Sequence, residues 1–201
     1  VARQRQMTSS LPAAFLHWKE HNSLGDMLWD DLGLNEFEDN ESKDIPKDDL
    51  SDLPFDIELN RLEMNDSKYE KLKNQIRALL AKAPSEKLII FSFYRGTITY
   101  LERRLQADGF KTISLMGGMR KEKDRILENF ASIQGPNIFI SSEVGAEGID
   151  LQFCHTIINY DLPWNPMKLE QRIGRIDRIG QESDKIYIYN MTCLDTIEDQ
   201  V

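Results

Sequence analysis

Residues 87–118 read KLIIFSFYRGTITYLERRLQADGFKTISLMGG, and the fold follows from the changes of period along this run. KLIIFSF (87–93) is short and continuously apolar, as a strand covered on both faces must be. RGTITYLERRLQADG then keeps helical spacing and stops at Gly109. KTISLMGG returns to a strand. Downstream, MRKEKDRILENFAS predicts a helix that turns Ile126, Leu127 and Phe130 inward. NIFISS (137–142), HTIINYDL (155–162) and KIYIYNM (185–191) predict three more strands, with helical runs between most of them. Upstream, DSKYEKLKNQIRALLAKAP has a capping-box pattern from Ser67 to Glu70, and Tyr69, Leu72, Ile76 and Leu79 keep one helical face. Apolar strands alternating with amphipathic helices predict an α/β fold, a parallel sheet with helices on both faces. No internal repeat is present.

The chain has 201 residues, 40% of them hydrophobic, and a formal charge of −9. That charge is concentrated. Residues 23–66 hold 15 Asp/Glu against 3 Lys/Arg, whereas residues 67–201 hold 18 acids against 19 bases. We therefore divide the chain into an opening element with a short helix (1–22), an acidic linker or insertion (23–65), and an α/β lobe (66–201). The acidic stretch is punctuated by Gly and Pro, which suits a mostly helical or irregular linker. Its functional reading is an acidic decoy for a basic groove. His17 and His21 stand four apart, but Trp18 occupies the place where a zinc-protease helix needs Glu. No metal is assigned to them. Cys154 and Cys193 form no disulfide or metal pattern, which suits a reducing, cytoplasmic setting. No apolar run reaches the roughly 18 to 20 residues of a membrane span, so no membrane partner is expected. The chain starts at Val1 and stops at Val201 just after a helix start, as a fragment of a longer protein would.

Ligands of such sheets bind outside the carboxyl ends of the strands. Three loops there carry the expected chemistry. Tyr94-Arg95-Gly96 follows the first strand, Gly117-Gly118 the second, and EVGAEGIDLQ, with Gly145, Gly148 and Asp150, the third. Glycines let a backbone approach a ligand and point N–H groups at phosphates. EQRIGRIDRIGQ (170–181) adds Arg172, Arg175 and Arg178 at every third residue, with Ile173, Ile176 and Ile179 beside them. On a helix, each set would occupy its own stripe. Clustered like charges repel, so the arginines imply an anion. Guanidinium forks suit phosphate oxygens. A solvated surface helix, with Glu170 and Asp177 offsetting the charge, is the plain alternative.

FSFYRGTITYLERRL, SSEVGAEGIDLQ and EQRIGRIDRIGQ resemble the fourth, fifth and sixth motifs of the second RecA-like lobe of superfamily-two helicases and translocases. DRIGQ is similar to the Swi/Snf type. The run SSEVGAEGIDLQFCHTIINYDLPWNPMKLEQRIGRIDRIGQ looks most like the bacterial RNA-polymerase-associated Swi/Snf-type ATPases. RQMTSSLPAA and DSKYEKL also resemble segments found there. The resemblance implies roles. Arg175 and Arg178 match the arginines that reach the γ-phosphate of ATP, with Arg178 as the finger. Gly148 and Asp150 match positions near the nucleotide, and Gln171 the position that opens the sixth motif. Ser92, Gly118 and Ser142 match positions at the phosphodiester backbone, and Arg95 lies among them. Glu147 stands where RNA helicases usually place Arg, so it receives no role.

A phosphate loop, GxxxxGK[ST], is absent from the sequence, as is an acidic Mg²⁺ box. The resemblance places both on an N-terminal RecA-like lobe of the same parent chain. The expectation is a motor lobe acting with ATP and Mg²⁺ on double-stranded DNA or another nucleic acid, inactive by itself. RNA polymerase is a further expected partner. The rival expectation is a non-catalytic RecA-like module that docks a polymerase or nuclease. A nucleotide-binding methyltransferase would need a glycine fingerprint after the first strand, which FSFYRG does not supply.

Overall fold

A four-residue apolar strand is stable in the middle of a parallel sheet only when both of its faces meet other side chains. The computed structural model describes residues 2–20, 58–119, 121–163, 165–193 and 196, with backbone alone for 2–4 and 17–20. In it β1 (Leu88–Phe91) is buried at every position. Its neighbours are β3 (Ile138–Ser141) and β4 (Thr156–Asn159), both parallel to it. The sheet order is β2-β3-β1-β4-β5, with β2 (Thr112–Leu115) and β5 (Tyr187–Asn190) at the edges. Leu88 pairs with Ile138 and with Thr156, so the three central strands end level at Phe91, Ser141 and Asn159.

Alternate side chains go to opposite faces. Leu88, Ile90, Ile138, Ile140 and Ile158 share one core with Tyr69, Leu72 and Ile76 of α4 (Ser67–Lys82) and with Ile98, Leu101 and Leu105 of α5 (Arg95–Ala107). Ile89, Phe91, Phe139 and Ile157 face the other core. There they meet Ile126 and Phe130 of α6 (Lys123–Ala131), and the ring of Phe130 stacks on Phe139 at 5.1 Å. Each fully buried Ile contributes roughly 1.5–3 kcal/mol, which is why the apolar periodicity reads so directly into the sheet. Five parallel strands with helices on both faces are what the sequence predicts.

Element boundaries shift for local reasons. The cap of α4 is Asp66 rather than Ser67: Asp66 accepts from the backbone N–H of Tyr69 at 2.9 Å, and its other oxygen accepts from the Tyr100 hydroxyl at 2.7 Å. α6 begins at Lys123 rather than near Met119, because the chain turns at Gly117 and Gly118 first, with Gly118 at φ +91°. The opening residues form α1 (Ala2–Ser9) and α2 (Leu11–Glu20). Both lie on the lobe: Ala13 joins the first core, the Ser9 and Thr97 hydroxyls bond at 2.9 Å, and Lys68 donates to the Thr8 carbonyl at 2.9 Å. Within the stretch expected as linker, α3 (Leu59–Met64) is helical, held by Arg104, which donates to the Glu63 carbonyl at 2.9 Å. Residues 21–57 lie outside the described residues, and so do the decoy reading and the pairing of His17 with His21. Among the described residues no helix is long and apolar enough to cross a membrane, and Cys154 is a buried free thiol.

Candidate functional site

The strand order reverses around β1: the chain leaves β1 toward β2, whereas it leaves β4 toward β5. A crevice at the carboxyl end of such a switch point is where open α/β sheets place ligands. The loops after β1, β2 and β3 meet there. Arg95, at the first turn of α5, donates to the Gly117 carbonyl at 3.2 Å. A Cβ at Gly117 would lie 3.2 Å from Val144, and one at Gly145 would lie 2.4 Å from the Leu115 carbonyl oxygen. Gly145 is thus required by close approach. Ser141 also donates to the Leu115 carbonyl, at 2.8 Å. The convergence inferred from glycine placement is a set of real contacts between β2 and the single turn α7 (Glu143–Ala146).

The expected backbone-contact residues occupy different depths. Arg95 and Gly118 are exposed. Ser142 is buried and caps α7, accepting from the N–H of Gly145 at 3.1 Å. Ser92 is fully buried, and its hydroxyl donates to Asp161 at 2.6 Å.

The arginine segment differs from its sequence reading. α8 (Pro166–Ile173) starts at the Asn165 cap and ends at Ile173, and residues 174–180 form turns. No continuous helix carries the three arginines, so no isoleucine stripe packs inward. Ile176 is fully buried, whereas Ile179 is fully exposed. Arg172 does not wait for an anion either. It is 2% exposed, pairs with Glu143 at 2.9 Å, and donates to Asn159 at 2.9 Å and to the Asp161 carbonyl at 2.8 Å. Its guanidinium also lies 5.2 Å from the Phe91 ring centroid. The like-charge problem at this position is solved by protein carboxylate and carbonyl groups.

Gln171 and Arg175, one turn apart, line a recess with Phe91, Glu143, Ala146 and Lys168. Arg178 donates through Nε to the Gly174 carbonyl at 2.9 Å and ion-pairs through its terminal nitrogen with Asp150. Two of the expected nucleotide residues are therefore in contact, and both are substantially exposed. Gly148, at φ +67°, sets the turn that leads into Asp150. Among the described residues no three His, Cys, Asp or Glu side chains cluster to hold a metal ion.

Sequence reasoning missed three members of this region: Lys68, Glu143 and Asp161. The one available signal was Asp161 itself, an acid placed directly after a buried strand, where it must find a partner.

Residues 67–180 match the family model described as the helicase conserved C-terminal domain. The chain is 48% identical over 124 residues to an uncharacterized ATP-dependent helicase, YqhH, of Bacillus subtilis, covering 61% of this chain and 22% of that protein. It is 35% identical over 137 residues to the RNA polymerase-associated protein RapA of Vibrio cholerae, covering 65% of this chain and 14% of that one. It thus spans about a fifth or less of the length of these relatives. The crystal structure of the C-terminal part of the Fun30 ATPase domain superposes with a TM-score of 0.62 at 26% identity, over 68% of this chain and 44% of that one.

Proposed function

Because the chain belongs to the helicase conserved C-terminal domain family, we propose that it is the C-terminal motor lobe of an ATP-dependent translocase on double-stranded nucleic acid, with DNA as the first candidate track. ATP and Mg²⁺ would be held chiefly by an N-terminal RecA-like lobe of the parent chain. On lobe closure, Arg175 and Arg178 reach the phosphates. A guanidinium placed there stabilises the charge that builds during phosphoryl transfer. Asp150 and Gly148 border the nucleotide, and Gln171 lies between it and the nucleic-acid side. Arg95, Gly118 and Ser142 face the phosphodiester backbone. Ser92, whose hydroxyl is given to Asp161, shapes the loop from beneath. RNA polymerase is a proposed partner on the similarity to RapA.

The observation that supports this reading best is the Arg178–Asp150 pair at the carboxyl edge of the sheet. It is an exposed pair, and such pairs are held by only about 0–1 kcal/mol. Arg178 can therefore exchange its carboxylate for a more highly charged phosphate at little cost.

The test is steady-state ATP hydrolysis by the intact parent protein with no nucleic acid, with duplex DNA, and with RNA–DNA hybrid, beside the same assays on residues 1–201 alone. We expect stimulated turnover from the parent and none from the isolated chain, which lacks the phosphate loop. Turnover that follows the isolated chain through purification would overturn the two-lobe arrangement. A parent that binds nucleic acid or polymerase without hydrolysing ATP would favour a docking module.

A further inference from the structure

One residue touches the supports of both halves of the site, one through its side chain and the other through its backbone. Asp161 follows β4 and is 5% exposed. Its Oδ2 accepts from the Ser92 hydroxyl at 2.6 Å and from the Phe93 N–H at 3.0 Å. Those bonds fix the loop that leads into Arg95. Its backbone carbonyl accepts from Arg172 at 2.8 Å. Arg172 is the residue after Gln171, its own carbonyl accepts from the Arg175 N–H at 3.1 Å, and it also pairs with Glu143, the residue after Ser142. On the far side, Lys68 pairs with Asp161 Oδ1 at 3.5 Å while its ammonium holds Thr8 of α1.

We propose that Asp161 is a positioning residue that couples nucleic-acid occupancy to ATP turnover. The inference rests on the motor-lobe reading above and adds the link between its two ligands. The geometry gives the reason. A shift of the 92–95 loop toward a phosphodiester backbone pulls on the Asp161 carboxylate through two bonds. The carboxylate and the carbonyl that holds Arg172 belong to the same residue, so they move together. Charge-assisted bonds in a buried setting are short and strong, and they transmit displacement rather than absorb it. Stability alone does not call for a charge here, since buried ion pairs stabilise folds poorly compared with apolar packing. Coupling between the two sides does call for a residue bonded to both, and Asp161 holds one through its carboxylate and the other through its carbonyl.

Two variants of the intact parent protein test this: Asp161→Asn, and Lys68→Met combined with Asp161→Asn. The double variant leaves no buried charge without its partner. ATP turnover is titrated with duplex DNA, and duplex affinity, affinity for a non-hydrolysable ATP analogue and thermal midpoint are read separately. We expect stimulation by duplex to fall about tenfold or more, while basal turnover and both separate affinities stay within about threefold, a loss confined to coupling. A folded variant that keeps its stimulation would overturn the proposal. Basal and stimulated turnover falling in equal proportion would also overturn it, by making Asp161 a support of the nucleotide side alone. So would failure of both variants to fold, which would assign Asp161 to stability. Wild-type protein that no nucleic acid stimulates would instead refute the motor-lobe reading, and this inference with it.

Discussion

Arg172 and Arg178 are the same residue type in one short segment, yet the lobe treats them in opposite ways. Arg172 sits in the last turn of α8, buried and bonded by Glu143, Asn159 and Asp161. Arg178 sits beyond the helix end, in turns, exposed and paired with the still more exposed Asp150. The helix end at Ile173 separates the two environments. While the helix continues, its arginine points at the sheet and becomes part of the core. Once the helix stops, the next arginines turn out along the carboxyl edge. Residue type and spacing therefore do not decide which arginine holds the fold and which is available to a ligand. Where the helix stops decides it.

The contrast can be broken most directly at its buried end. Arg172→Ala removes a buried cation from Glu143 and two acceptors, and we expect a loss of about 3–5 kcal/mol in denaturant unfolding, the usual cost of breaking a buried pair. A loss below about 1 kcal/mol, the scale of surface pairs, would erase the distinction. At the exposed end, Arg178→Ala in the parent protein should lower ATP turnover by about 10³. Its unfolding free energy should change by no more than about 1 kcal/mol. Equal losses in nucleotide affinity and turnover would make Arg178 a uniform binding contact instead.

The smallest effect sharpens the scale between these two. Asp108, at the end of α5, accepts from the Tyr69 hydroxyl at 2.6 Å, and Lys73 lies 3.6 Å away. The Tyr69 bond, and then the Lys73 charge, hold its carboxyl below the ordinary value of 3.8. A depressed carboxyl stabilises the fold above its unfolded value and loses that contribution as pH falls through its folded value. Wild type should therefore lose stability with acid below about pH 4 more steeply than Asp108→Asn, whose group does not titrate. Thermal midpoints measured from pH 6 downward check this, and parallel curves would show that the bond adds nothing.

The sheet was legible because Leu88–Phe91, Ile138–Ser141 and Thr156–Asn159 are apolar on both faces, and burial on both faces leaves few alternatives. The meeting of the three loops was legible from Gly117 and Gly145, and at Gly145 close approach to the Leu115 carbonyl excludes other residues. The arginine segment was misread for a physical reason. A recurrence every third residue mimics helical spacing, yet Gly174 follows the last helical residue and the chain turns from there. The bonds of the buried Asp161 and Lys68 were invisible because their partners, Ser92 and Thr8, lie 69 and 60 residues away in sequence. The same holds for α3: a six-residue helix has too few residues to announce itself, and a tertiary bond from Arg104 supports it.

The strand order also sets a timetable for synthesis. β1 is made first and sits in the centre, but its partners are β3 and β4, while β2 pairs only with β3. No two strands of this sheet can join until Ile138–Ser141 has left the ribosome, 50 residues after Leu88. At roughly 5–20 residues per second that is an interval of about 3 to 10 seconds. Throughout it, Leu88–Phe91 has only the helices on either side of it for cover. α4 precedes β1 and α5 follows it, and both pack on the Leu88 and Ile90 face. The nascent lobe can therefore shield one face of its most apolar strand with helices while both edges of that strand wait for partners.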